Sequence, residues 1–308
     1  MIYDTVLDAI GNTPIIRLHK LAGADDAEIL VKFEGVNIGG SIKTRTAYRM
    51  IREAELRGEI QPDTIIVEPT SGNQGIGLAM VGAVRGYKTI IVMPDSVSEE
   101  RSKLLKNYGA EVILVKDDGN IGECVEKCLK TALQLKEGNP KVFVPQQFEN
   151  PDNPAVHWSQ TAKEILEQVE KPIHGFCSGI GTGGSISGIG GSLREKYPSI
   201  EIWALEPEHG AILSGGKIGS HIQMGIGDGF IPANLNMSIY DHVEIVTDEE
   251  ALQTAKDLAR LEGLMCGISS GTNVAAAMRM AKKLGKGKTV VTILPDTGER
   301  YFSTPLFD

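Results

Sequence analysis

Three short stretches of this chain combine glycine with groups able to do chemistry. The first is Asn37-Ile-Gly-Gly-Ser-Ile-Lys43. Glycines let backbone amides approach a ligand closely. Lys43 stands at a predicted helix start, where the helix field favours anions and depresses a lysine's pKa. A lysine must shed its proton before it can form a Schiff base, so the placement suits one. Taken alone, the same residues are better read as a surface lysine on an amphipathic helix, and their spacing does not spell the nucleotide phosphate loop. The second stretch, Thr70-Ser71-Gly72-Asn73-Gln74, follows a predicted strand. Hydroxyls and amides at a helix mouth make a pocket for a carboxylate, although a tight turn with an N-cap uses the same residues. The third is Gly181-Thr182-Gly183-Gly184-Ser185. Small residues with free amides between a strand and a helix form a phosphate cradle. With Gly179 this stretch also spells G-x-G-x-x-G, and Glu206 follows about 20 residues later, as in dinucleotide-binding turns. A nicotinamide-dependent oxidoreductase therefore stays open at this point.

The elements around these stretches alternate. Strands are predicted at 64–67, 89–92, 111–115 and 142–144, with helices at about 74–85, 98–108 and 121–135 between them. Gly86, Gly109 and Gly138 fall where a helix end takes a left-handed residue. The pattern restarts with strand 175–178, helix 184–196 and strand 201–205, then strand 243–246, helix 248–262, helix 271–284 and strand 289–294. Thr247 and Glu250 spell a capping box. Alternating βα units imply parallel sheets with helices on both faces, so the fold class is α/β with two parallel-sheet lobes. The Pro- and Asn-rich run from Phe148 to Ala155 reads as the crossing between lobes. In open parallel sheets ligands bind beyond the carboxyl ends of the strands, which is where the second and third stretches lie.

Composition narrows the field. The chain has 308 residues, 41% of them hydrophobic and 23% charged, and a formal net charge of −9. Such an acidic chain has no electrostatic footprint for nucleic acid. No apolar run is long enough for a membrane span, and the N-terminal residues do not read as a signal peptide. A cytoplasmic protein with free thiols is expected. Cys124 and Cys128 are spaced to share a helix face, but no His–Cys cluster completes a metal site, so no metal is expected.

The combination of motifs resembles the cysteine synthase and cystathionine β-synthase group of fold-type II pyridoxal-phosphate enzymes, relatives of the tryptophan synthase β fold. The resemblance runs essentially the whole length. It is carried by Gly11-Asn-Thr-Pro14, Gly40-Ser-Ile-Lys43, Glu68-Pro-Thr-Ser-Gly-Asn73, Arg101-Ser-Lys-Leu-Leu-Lys106 and Gln147-Phe-Glu-Asn-Pro151. It continues through Gly181–Gly184, Gly225-Ile-Gly227, Gly229-Phe-Ile-Pro232, Gly267-Ile-Ser-Ser-Gly271 and Pro295-Asp-Thr-Gly-Glu-Arg-Tyr301. So many ordered matches displace the nicotinamide reading. By resemblance, Lys43 forms a Schiff base with pyridoxal 5'-phosphate and moves the Cα proton. Thr70, Ser71, Gly72, Asn73 and Gln74 hold the substrate carboxylate together with Gln147, and Asn73 also meets the ring oxygen of the cofactor. Gly181, Thr182, Gly183, Gly184 and Ser185 bind its phosphate, and Ser269 faces its pyridine nitrogen. A neutral serine there leaves the ring a poorer electron sink than a carboxylate would, which suits β-elimination and addition through an aminoacrylate. The resemblance further implies a small amino acid and sulfide as partners, a homodimer, and a smaller mobile domain over 39–145. That domain would close on a larger phosphate-binding one made of 1–38 and 146–308.

Three positions depart from the family pattern: Ile38 replaces a usual proline, Gln74 a frequent threonine, and Asp228 a small apolar residue. Asp228 bears most directly on the reaction. A carboxylate beside the substrate would repel hydrosulfide and could serve as general base toward water. The expected reaction is cysteine synthase-like β-replacement on a small L-amino acid; a carboxylate turned into the site would run it as release of hydrogen sulfide from L-cysteine with formation of L-serine, whereas the alternative is an Asp228 that caps a loop amide. A serine or threonine dehydratase and a catalytically silent binding protein fit the motifs less well.

Overall fold

Continuous Val/Ile/Leu runs make central parallel strands, because helices cover both faces of such sheets. The computed structural model describes every residue except Met1, Ser71, Asn120 and Lys217, and at Ile121 the backbone alone. The chain opens with β1 (Ile15–Arg17) and β2 (Glu28–Phe33), then α1 (Lys43–Leu56). The βα alternation follows: β3 (Ile65–Pro69), α2 (Asn73–Arg85), β4 (Lys88–Pro94), α3 (Glu99–Asn107), β5 (Glu111–Val115), α4 (Ile121–Gly138) and β6 (Val142–Phe143). A second run begins with α5 (Asp152–Val156), which passes through a π-turn at His157–Thr161 into α6 (Ala162–Gln168). It continues with β7 (Gly175–Gly179), α7 (Gly184–Lys196), β8 (Glu201–Pro207), β9 (His242–Val246), α8 (Asp248–Glu262), α9 (Ile268–Leu284) and β10 (Thr289–Leu294).

Two sheets result. One is four-stranded in the order β5-β4-β3-β6, and the other is six-stranded in the order β1-β2-β10-β7-β8-β9. The expected parallel architecture holds, with one addition: β1 runs antiparallel to β2 at the sheet edge. Every residue of β10 is buried, whereas the edge strand β5 is half exposed. Apolar clusters cover both faces of the large sheet, one built from α8 and α9, the other from α6 and α7.

Local signals account for most element ends. The capping box at Thr247 forms as predicted, and Gly263 closes α8 at φ +72°. Gly86 (φ +82°) and Gly109 (φ +84°) are left-handed as expected, but Gly138 is not and remains the last residue of α4. The run from Phe148 is a tight turn that enters α5 at Asp152 rather than a long crossing loop. α9 starts at Ile268, three residues before the predicted start at Gly271, which puts Ser269 in its first turn.

Beneath α1 lies a buried charge cluster. Arg45 pairs with Glu34 at 2.9 Å and Glu164 at 2.6 Å, and Lys32 pairs with Glu164 at 2.7 Å. Charges this deep persist only when each is paired and hydrogen-bonded. Thr13 completes the set by donating to Glu34 at 2.7 Å. The cluster joins α1, and so Lys43, to β2 and α6.

Candidate active site

The carboxyl ends of β3, β7 and β10 face a common cleft with about 1030 Å³ of empty space. Lys43, Thr70, Asn73, Gln74, Gln147, Gly181, Thr182, Gly183, Ser185, Asp228 and Ser269 all line it. Of the remaining predicted residues, Gly72 packs on Arg101 and Gly184 on Asn153, just behind the lining. Ser71 lies outside the described residues.

Lys43 begins α1 after two left-handed glycines, Gly39 (φ +79°) and Gly40 (φ +71°). The turn is tied to the segment after β10 by Ile42 N–H donating to the Pro295 carbonyl at 2.8 Å. The lysine pKa is lowered, and burial is the largest cause; Asp228 and Asp296 pull against it. The neutral amine is thus favoured by desolvation, a cause beyond the helix-start argument.

The third stretch has the geometry of an anion cradle. Gly183 adopts φ +77° and caps α7, and the amides from Gly181 to Ser185 donate to no other described protein atom. Such orphan donors at a helix start suit a phosphate. Only glycine fits: a Cβ on Gly181 would come within 2.2 Å of the Gly225 carbonyl, and one on Gly184 within 2.0 Å of Asn153 Oδ1. Asn153 also donates to Thr182 Oγ1 at 2.9 Å, and His157 Nε2 lies 3.4 Å from the Ser185 hydroxyl.

The second stretch caps α2. The Asn73 amide donates to Asp296 Oδ2 at 2.7 Å and accepts from Arg300, which also donates to the Gly39 carbonyl. Tyr301 donates to the same Asp296 oxygen at 2.8 Å. Gln74 is spent differently from expectation. Its carbonyl accepts from Thr46 at 2.7 Å and its amide points to Met50 Sδ, so its polar end turns toward α1. Gln147, by contrast, makes no side-chain hydrogen bond among the described residues and lines the cleft.

Asp228 sits between two left-handed glycines, Gly227 (φ +70°) and Gly229 (φ +83°). The loop is fixed by Gly227 N–H donating to Ile180 O at 2.9 Å and by His221 Nε2 donating to Gly227 O at 3.1 Å. Among the described residues no amide caps the Asp228 carboxylate. Burial raises its pKa, while Lys43 and then His221 oppose the rise. Ser269 is buried to 5% exposure at the start of α9. Asn273, four residues on, accepts from Gly179 N–H and donates to Ile293 O, both at 2.8 Å, which staples β7 and β10 beneath it.

Sequence reasoning missed Asn153, Asn273, Asp296 and Arg300 as site builders. The signal for Asp296 and Arg300 was present in the Pro295–Tyr301 motif, but no role attached to it. Among the described residues no group of His, Cys, Asp or Glu is placed to hold a metal ion. Among the described residues no helix is long and apolar enough to cross a membrane.

Comparison with known proteins identifies the family. Residues 6–296 match the family model described as pyridoxal-phosphate dependent enzyme. A cysteine synthase from Staphylococcus aureus is 49% identical over 99% of this chain and 97% of its own length. Among solved structures, a hydrogen sulfide-producing enzyme from Fusobacterium nucleatum has a TM-score of 0.92 at 43% identity, covering 97% of this chain and 100% of that one. An O-ureido-L-serine synthase has a TM-score of 0.95 at 39% identity, covering 100% and 96%. A half-buried lysine, an orphan-amide cradle and a neutral serine fit the cofactor of these enzymes, and the chain belongs to the cysteine synthase-like members of the pyridoxal-phosphate dependent enzyme family.

Proposed function

We propose that this enzyme takes L-cysteine, releases hydrogen sulfide and adds water at Cβ to give L-serine, with Asp228 as the base that activates the water. The observation that carries the reading is a carboxylate that no amide caps among the described residues, lining the cleft alongside Lys43. The balance is simple: L-cysteine and water give L-serine and hydrogen sulfide. When bound, pyridoxal phosphate supplies the electron sink that lets an amino acid lose its Cα proton and its Cβ substituent.

The residues divide the remaining work. Gly181–Ser185 hold the cofactor phosphate, Ser269 presents a neutral hydroxyl to the ring nitrogen, and Lys43 anchors the cofactor. As a neutral amine Lys43 then takes the Cα proton. Thr70–Asn73 and Gln147 bind the substrate carboxylate, with Gln74 acting as the floor of that pocket. Asp228, its pKa raised by burial, is better matched to proton transfer near neutrality than an ordinary carboxylate. Its charge also disfavours hydrosulfide at Cβ and so favours water. Residues 39–145 close over the larger domain and keep bulk water from the reacting carbon. The enzyme works as a cytoplasmic homodimer. Likeness to a hydrogen sulfide-producing enzyme supports the direction of the reaction.

The test is sulfide release from L-cysteine by holoenzyme, with O-acetylserine plus sulfide assayed in parallel. Asp228→Asn and Asp228→Ala should slow sulfide release about 10²–10⁴-fold, with the cofactor absorbance unchanged. Equal rates in both variants and the wild type would sink the role of Asp228.

A further inference from the structure

Glu68, the penultimate residue of β3, is a carboxylate with no solvent exposure. The backbone ladder between β3 and β6 stops at Ile66 and Phe143. Glu68 extends it by side chain: Oε2 accepts from the Gln146 amide and Oε1 from the Gln147 amide, each at 2.9 Å. Between them Gln146 is held at φ +58°, a region that residues other than glycine avoid. The Gln147 carbonyl is gripped from the opposite side, by Asn153 at 2.8 Å and Asn234 at 2.9 Å. Asn153 reaches on to Thr182 in the phosphate cradle. One residue is therefore tied by its N–H to the four-stranded sheet and by its carbonyl to the cradle side of the cleft. With both backbone groups engaged, only the Gln147 side chain is left for a ligand.

We propose that Glu68 is a positioning residue whose buried carboxylate sets the left-handed turn at Gln146 and thereby aims the Gln147 side chain into the substrate-carboxylate pocket. This rests on the reading of Gln147 given above. The two bonds are strong because the acceptor is ionised. A protonated carboxyl would turn a hydroxyl toward one of the two N–H groups and lose that bond. Burial holds the Glu68 pKa up at about 7, against the pull of the two amides. The charged groups on the elements packed against β3 are Arg85 on α2, Lys88 on β4, Glu123, Glu126, Lys127, Lys130, Lys136 and Glu137 on α4, and Glu149 in the turn, yet only burial and the two amides move the carboxyl appreciably. The turn is thus firm above about pH 7 and loosens below it.

The experiment measures L-serine binding to holoenzyme from the change in cofactor absorbance, between about pH 6 and pH 8.5. L-serine is chosen because its carboxylate does not titrate in that window. Gln147→Ala should weaken binding about tenfold at the upper pH. Glu68→Gln should do nearly the same there, approach the wild type at the lower pH, and add nothing in a Gln147→Ala background. A Glu68→Gln enzyme that binds L-serine like the wild type at the upper pH overturns the proposal, as does a loss of equal size with and without Gln147. Unchanged binding in Gln147→Ala alone overturns the pocket reading beneath it. Should Glu68→Gln not fold, the wild type and Gln147→Ala decide the matter. The proposal expects affinity to fall with pH through about 7 in the wild type only, and an equal fall in both contradicts it.

Discussion

At the phosphate-cradle end of the cleft, backbone meets backbone. Gly181 lies against the Gly225 carbonyl, so closely that no side chain fits between them, and Asn273 bonds only main-chain groups of β7 and β10. At the Thr70–Gln74 end the fastening is done by ionisable side chains: Asp296 and Arg300 on Asn73, and Glu68 on the turn carrying Gln147. The first arrangement is intolerant of any added atom, and burial keeps the neighbouring His157 imidazole neutral. The second responds to charge. A cofactor that stays bound suits the rigid end, and a substrate that comes and goes suits the adjustable one.

The largest effect should come from Lys43, which both ends face. Lys43→Ala should lower sulfide release from L-cysteine by about 10³-fold or more and abolish the cofactor absorbance band of the purified protein. Persistence of an unchanged band would remove Lys43 from its assigned place. Gly181→Ala breaks the rigid end alone. Its Cβ meets backbone at 2.2 Å, and overpacking of that kind costs about 1–3 kcal/mol. Cofactor affinity should fall roughly 10–100-fold by equilibrium dialysis, while Gly58→Ala, open on all sides but also left-handed, leaves it unchanged.

Arg300→Met breaks the adjustable end. It removes a charged donor from Asn73 and Gly39, and the KM for L-cysteine should rise about tenfold with cofactor content preserved. Loss of cofactor instead would mean that the two ends are not separable. The smallest effect concerns the charge cluster under α1. Pairing with Arg45 and Lys32 outweighs burial and holds the Glu164 carboxyl down at about 2. A depressed carboxylate stabilises the fold above its unfolded pKa and loses that contribution as pH falls toward its folded one. Unfolding midpoints should therefore drop between about pH 4.5 and pH 2, and Glu164→Gln should flatten that limb.

Much of this molecule could be read in advance, and the failures share a cause. β5, α7, α8 and β10 have the bounds their patterns predicted, since glycine, a capping box or an unbroken apolar run marks each end. β1 and β2 escaped because β1 spans three residues and β2 carries Lys32, whose burial is explained by distant partners, Glu164 and Gln168 on α6 and the Thr13 carbonyl. The glycine loops of the site were legible because backbone conformation selects glycine locally. Asp228 was legible as a carboxylate beside the expected cavity, though not its freedom from a loop cap. Glu68, Asn153, Asp296 and Arg300 were not legible as builders of the site. Glu68, Asp296 and Arg300 lie within recognisable motifs, but most of the hydrogen bonds that give these residues their roles join positions far apart in sequence.

The central claim is that Asp228 delivers water to Cβ of L-cysteine. It is tested most directly by incubating holoenzyme with L-cysteine in ¹⁸O-labelled water and analysing the products. The account predicts hydrogen sulfide and ¹⁸O-labelled L-serine in equal amounts, with both lost together in Asp228→Asn. Pyruvate in place of labelled serine, or labelled serine formed at the wild-type rate by Asp228→Asn, would contradict it.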